Sequence, residues 1–307
     1  MMKRCLLFAT AALGCGMLFS GAAQGAELFR DEMASGAGWG VNANNADSAA
    51  TFGYDYSADG IPEAPNSRGG DTATSGVKLE ANISTGTLSV FTLYPTGQNF
   101  TGAYQLRFDV WTNYDVNERV NGASAGTTEF IGGGIGYNGT NADVGSGAQI
   151  LATNEGGSAS DWRAFADTTF LAATEMTAGT RNGEDAYYAD FLTGVAPPAS
   201  QSQVAFPPGI AGTPGFQWVT FEVTTDGSVA DIWIEKPSGD RLQIVTIDEP
   251  FSSDGNISLV YADFFTSVTS RPDLTFGVID NVEVSQIPEP TAIALCLLGA
   301  GVMLRRR

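Results

Sequence analysis

The chain has 307 residues, 34 acidic against 15 basic, for a formal charge of −19, and it contains no histidine. Such a charge argues against nucleic acid and anionic lipid as partners. The missing histidines remove Ser-His-Asp and Cys-His nucleophile systems, histidine general bases and the usual zinc sites. An enzyme built on this chain would work with carboxylates, tyrosine, arginine or lysine.

Lys3-Arg4 and the apolar run Cys5 to Ser20 lead to the small residues Ala23-Gln24-Gly25. This pattern predicts a secretory signal helix over 1–25, removed before Ala26. All three cysteines (Cys5, Cys15 and Cys296) lie near the two ends, so the region between them has neither thiol nor disulfide. That region, 26–285, is long enough for one large β domain. With both ends removed, ten basic and 33 acidic residues remain, a charge near −23.

Short alternating segments then predict half-buried strands. In chain order they are Val77 to Ile83, Leu88 to Leu93, Gln105 to Thr112, Thr128 to Tyr137, Ala148 to Thr153 and Trp162 to Phe165. Between Gln105 and Thr112, Leu106, Phe108 and Val110 share one face while Arg107, Asp109 and Trp111 share the other. The glycine run Gly132-Gly133-Gly134 lacks a following helix and reads as tight strand packing. Helix is scarce, with at most two turns predicted within Gly183 to Leu192, and a Gly- and Pro-rich connection fills 194–215. Trp218 to Thr224, Ala230 to Glu235 and Arg241 to Ile247, joined by the turns Thr225–Ser228 and Lys236–Asp240, predict a three-stranded antiparallel meander. Ile257 to Tyr261 and Thr275 to Ser285 complete the set.

Ten or so short strands predict an all-β, two-sheet antiparallel sandwich. The segments Tyr104–Trp111, Trp218–Val223 and Phe276–Val284 resemble concanavalin-like or laminin-G-like jelly rolls. In carbohydrate-binding sandwiches of this kind, first and last strands can share a structural calcium. The resemblance therefore implies Asp31, beside Glu32, and Asp280 as metal ligands, with no other cofactor required. No EF-hand loop is present, since Asp55–Gly60 has the wrong spacing.

The tail carries a three-part pattern over 286–307: Pro288-Glu289-Pro290, an uncharged run of fourteen residues from Thr291 to Leu304, and Arg305-Arg306-Arg307. As a helix the run spans about 21 Å, short for a bilayer that needs about 20 residues. The arginines would stay on the cytoplasmic side, leaving the domain outside. This arrangement resembles the PEP-CTERM sorting signal of bacterial exported proteins. The resemblance implies an exosortase-type membrane transpeptidase as partner, a transient membrane anchor through the 291–304 helix, and a final location at the cell surface or beyond.

For the domain itself, Trp111 and Trp233 stand opposite the aliphatic residues of their strands. On an open sheet face they would stack on sugar rings, with Asp109 and Asp231 accepting hydroxyl hydrogens. On a covered face the same tryptophans would fill a second packed layer. Retaining glycosidases need two acids about 5–5.5 Å apart; Asp231 and Glu235 would stand about 13 Å apart along one strand. The expectation is a non-catalytic, glycan-binding surface or matrix protein. The rival is a glycan-active enzyme, a carboxylate hydrolase or a tyrosine/arginine lyase.

Overall fold

A computed structural model describes residues 25–70, 72–117, 128–203, 210–266 and 268–287. The expected signal and membrane helices fall outside these residues. So do Pro288, Glu289, Pro290, Arg305, Arg306 and Arg307. Among the described residues no helix is long and apolar enough to cross a membrane.

The strands in chain order are β1 (Glu27–Asp31), β2 (Trp39–Ala43), β3 (Ser48–Asp55), β4 (Ser75–Ala81), β5 (Ser89–Pro95), β6 (Tyr104–Asn113), β7 (Phe130–Tyr137), β8 (Ala148–Thr153), β9 (Trp162–Ala166), β10 (Thr169–Phe170), β11 (Val219–Thr225), β12 (Ala230–Glu235), β13 (Arg241–Ile247), β14 (Asn256–Asp263) and β15 (Phe276–Gln286). They form two antiparallel sheets. One runs β13-β12-β11-β6-β15-β4-β3, with β1 also on β15, and the other runs β10-β9-β8-β7-β14-β5-β2. The chain crosses between sheets at β1–β2, β2–β3, β4–β5, β5–β6, β6–β7, β10–β11, β13–β14 and β14–β15. The result is the two-sheet jelly roll that the alternation predicts. The helical patch is one turn, α1 (Ala186–Ala189), whose first turn is capped when the Asp185 carboxylate accepts from the Tyr187 N–H.

Period-two alternation decides which face of each strand is buried. Leu106, Phe108 and Val110 of β6, Val219, Phe221 and Val223 of β11, and Ile232 and Ile234 of β12 join Ile131, Ile150 and Leu259 of the opposite sheet in one core. The meander β11-β12-β13 pairs as predicted, with a bulge between Ile232 and Trp233.

Strand β15 changes neighbours part-way along its length. Gly277–Ile279 pair with β4, whereas Val282–Ser285 pair with β1. The changeover falls at Asp280-Asn281, where Asn281 takes a left-handed φ of 51° and the register against β6 shifts. Asparagine is one of the few non-glycine residues that tolerate this conformation. First and last strands are thus neighbours, as the calcium expectation required.

Candidate functional site

The outer face of the eight-stranded sheet carries the side chains that the sequence reading singled out. Register places them in rows across β15, β6, β11, β12 and β13. Asp280, Asp109, Thr220, Glu235 and Arg241 form one row, and Glu283, Arg107, Glu222, Trp233 and Gln243 the next. Ser285, Gln105, Thr224, Asp231 and Thr246 form a third.

The first row is closed to solvent at its β6 end. Asp109 is 0% exposed. Its Oδ1 accepts from the Asn66 side-chain amide (2.6 Å) and the Thr220 hydroxyl (2.6 Å), and its Oδ2 from the Asn66 N–H (3.0 Å) and the Asn281 amide (2.9 Å). Asp109 therefore rivets the loop around Asn66 to the sheet and is not available to sugar hydroxyls. This corrects the expectation of a sugar acceptor there. Burial pushes its carboxyl upward despite these donors. Asp280 accepts from the Tyr56 hydroxyl (2.9 Å) and the Asn281 N–H (2.7 Å). Burial first, then the nearby Asp109 and Glu32 charges, push its carboxyl up to about 8.

The calcium expectation fares poorly on geometry. Asp31 accepts from the Met33 N–H at 2.6 Å, and Asp280 is spoken for as above. Among the described residues no group of three or more Asp, Glu, His or Cys side chains is placed to hold a metal ion.

Trp111 and Trp233 do not meet on one open surface. Trp111 is 4% exposed and packs against Trp218, ring centroids 5.8 Å apart, in a second apolar cluster with Tyr56, Phe216 and Val278. Its place is the covered layer. Trp233 is half-buried in the neighbouring zone, with the Arg241 guanidinium 5.0 Å from its ring centroid. Asp231, on the same strand face, accepts from the Gln243 amide (3.1 Å) and the Thr246 hydroxyl (2.6 Å).

Around Trp233 stands an ion-pair lattice that the sequence did not reveal. Arg107 reaches Glu222 (3.3 Å) and Glu235 (3.2 Å), while Arg241 binds Glu222 and lies 3.8 Å from Glu235. Each arginine thus meets both glutamates. The signal was present in the polar positions of β6, β11, β12 and β13, but only the register joins them.

Beyond Trp111 lies an apolar pocket of about 710 Å³, walled by Trp111, Trp218, Phe216, Pro62, Pro65 and Pro198, with Glu63, Gln217, Lys236 and Ser238 also lining it. Phe216 and Trp218 are two positions apart in the segment just before β11. The proline walls come from separate loops.

No family model matches the chain, and no curated protein matches it. Solved structures do. A galectin-like protein of unknown function from Bacillus subtilis is 10% identical, with 86% of this chain and 97% of that one covered and a TM-score of 0.41. The lectin UEA-II in complex with galactose is 6% identical, with 85% and 99% covered and a TM-score of 0.42. Carbohydrate-binding module CBM66 from Bacillus subtilis is 10% identical, with 69% and 87% covered and a TM-score of 0.34. At these levels the likeness is one of sandwich architecture, and the ligand chemistry has to come from this chain's own side chains.

Proposed function

We propose that this protein is an exported, non-catalytic module that binds glycan on the outer face of its eight-stranded sheet, with Trp233 as stacking platform and Asp231 as hydroxyl acceptor. The observation that carries this reading is a half-buried indole among hydrogen-bonding and charged side chains: Asp231, Glu235, Gln243 and Arg241. Aromatic faces ringed by polar groups suit a pyranose, which presents an apolar C–H face and hydroxyl edges. Trp111 and Asp109, expected beside them, act instead as packing and as a loop rivet.

The enzyme reading finds less support. The carboxylates that stand opposite each other, Asp109 and Asp280, are 0% and 1% exposed and already meet protein donors, so substrate does not reach them. Glu235 is held by Arg107 and Arg241.

Titration with a panel of extracellular polysaccharides, followed by tryptophan fluorescence, tests the binding. Wild type should respond and Trp233→Ala should not; equal responses from both would remove Trp233 from the site. Reducing ends or unsaturated products would move the protein to the enzyme class.

Export and sorting belong to the same proposal, supported by the signal pattern at 1–25 and the Pro288–Arg307 tail. Expressing the full chain with and without an exosortase, and weighing the product by mass spectrometry, tests it. The enzyme should remove the end of the chain; a product always retaining Arg307 would contradict the reading.

A further inference from the structure

The sheet face that carries Trp233 continues across three strands into a separate polar cavity. Its volume is about 320 Å³, and Asn66, Gln105, Arg107, Glu283 and Ser285 are among its walls. Register puts Arg107 two strands from Trp233 in the same row, and Glu283 one strand further. At about 4.8 Å between strands, those steps amount to about 10 and 14 Å. A single sugar ring on the indole does not reach that far.

The path between the two ends is open. In the row of Ser285, Gln105, Thr224, Asp231 and Thr246 every residue is half-buried or exposed. Leu106, Val223 and Ile232, on the other side of the same strands, are 0% exposed. The row of Asp109 and Thr220 is closed instead by Asn66, which bonds to both, so the Asn66 loop forms one bank of a groove. Arg107 joins its ends: it lines the cavity, and its guanidinium lies 3.2 Å from Glu235 on the strand of Trp233.

The charges of this groove narrow the ligand. Arg107 and Arg241 are each held by Glu222 and Glu235, and Arg30 is held by Glu283 at 2.6 Å. With Asp231, the carboxylates outnumber these arginines on a chain whose formal charge is −19. A uronate or sulfate polymer would meet a floor of its own sign and would have to displace a glutamate to reach a guanidinium. The Gln105 amide and the Ser285 and Thr224 hydroxyls instead offer neutral donors and acceptors suited to sugar hydroxyls. Resting on the glycan reading of Trp233 and deepening it, we propose that the groove binds several successive residues of a linear, uncharged polysaccharide. Trp233 serves one subsite, and Gln105 with Ser285 serves another beyond β11.

The test is calorimetric titration of the full-length protein with oligomers of one to six residues from β-1,4-glucan, β-1,4-mannan and α-1,6-glucan. Oligogalacturonate of equal lengths is the charged probe. At least one neutral series should gain about tenfold or more in affinity from disaccharide to tetrasaccharide, since each added hydrogen bond is worth about fivefold. Oligogalacturonate should bind more weakly at every length. Gln105→Ala should lower tetrasaccharide affinity about fivefold and leave disaccharide affinity unchanged, whereas Trp233→Ala should abolish both. The wild-type length series is a readout that no variant's folding can disturb. Affinity that stays flat with length yet is lost in Trp233→Ala would overturn the extended groove and leave the Trp233 site standing. Length-dependent binding that survives Trp233→Ala would overturn the Trp233 reading and this proposal with it. So would the absence of binding by any neutral series, and tighter binding of oligogalacturonate would overturn the choice of an uncharged ligand.

Discussion

Asp109 of β6 and Asp280 of β15 stand directly opposite each other in an antiparallel register pair, both buried. Like charges in that position destabilise a sheet. The donors that reach them are neutral: Asn66, Thr220 and Asn281 for Asp109, and the Tyr56 hydroxyl and Asn281 N–H for Asp280. The pair is tolerated because burial pushes both carboxyls upward, Asp280 to about 8, so that at most one of the two is charged at neutral pH.

That proton makes stability depend on pH in a direction that can be worked out. Asp280 has a folded pKa raised from 3.8 to about 8, and Asp263 is raised to about 6. Between the unfolded and folded values the native state binds more protons, so stability falls as pH rises and is fully present below about pH 4. Asp47 and Asp226 are shifted down, and their contribution is lost as pH falls below about 4. The melting temperature should therefore peak near pH 4 and decline toward pH 8.5. Asp280→Asn should raise it by several degrees at pH 8.5 and leave it unchanged at pH 4. A variant that is destabilised equally at both values would show that the carboxyl is not the titrating group.

Asn66 is the anchor of the loop over this pair, supplying both its amide and its N–H to Asp109 and reaching Thr220 at 2.8 Å. Asn66→Ala strips the amide from a buried carboxylate, and the expected cost is about 1–3 kcal/mol. Urea unfolding measures it as a lowered midpoint at unchanged slope. A shift of only a few tenths would mean that Asn281 and Thr220 suffice.

The contrast between the meander and this loop shows where sequence reading reaches its end. β12 and β13 were legible to the residue, because Ile232 and Ile234 alternate with Asp231, Trp233 and Glu235 and turns flank them. β2 and β3 were not. Each lies at a sheet edge, and Ser48-Ala-Ala-Thr-Phe-Gly-Tyr-Asp55 is half-exposed with small residues where an apolar signal would stand. For the site, strand alternation assigned Trp111 and Trp233 to the same outer face but could not say what covers it. Asp109 is buried by Asn66, 43 positions earlier in a Gly- and Pro-rich stretch without periodicity. Register and loop cover are long-range facts, and alternation is a local one.

The arginine–glutamate lattice separates two glutamates by burial. The Glu222 side chain is 6% exposed and holds both Arg107 and Arg241, whereas Glu235 is 23% exposed. Glu222→Gln leaves two guanidinium groups beside a neutral amide and should cost about 1–3 kcal/mol. Glu235→Gln should cost under about 1 kcal/mol and be masked further by salt. Equal costs for the two, measured by urea unfolding at low and high salt, would mean that burial does not set the difference.

Metal removal should have no effect on the described fold. Asp31 caps the Met33 N–H and Asp280 keeps its proton beside Tyr56, so the pair expected to bind calcium is engaged elsewhere. Thermal melts with excess EDTA and with excess calcium should superimpose at neutral pH. A rise of several degrees with calcium alone would restore the first-and-last-strand site, since binding to the native state stabilises by mass action.

The glycine run in β7 is a steric requirement of the sheet. A Cβ on Gly132 would lie 1.9 Å from the Ile150 carbonyl oxygen, and one on Gly134 would lie 2.2 Å from that of Ala148. Both obstacles are backbone atoms of the paired strand β8, which cannot turn aside as a side chain does. Alanine at Gly132 must push β7 and β8 apart, two strands buried along their whole length, breaking ladder hydrogen bonds that have no water to replace them. The expected cost is about 3 kcal/mol or more, enough to unfold a marginal protein. Gly36 offers the comparison: its Cβ would meet the Phe52 ring edge at 3.0 Å, a side chain near a sheet edge that can shift. Gly36→Ala should cost under about 1 kcal/mol. If Gly132→Ala instead melts within a degree or two of wild type, the close β7–β8 approach is not a constraint on this fold.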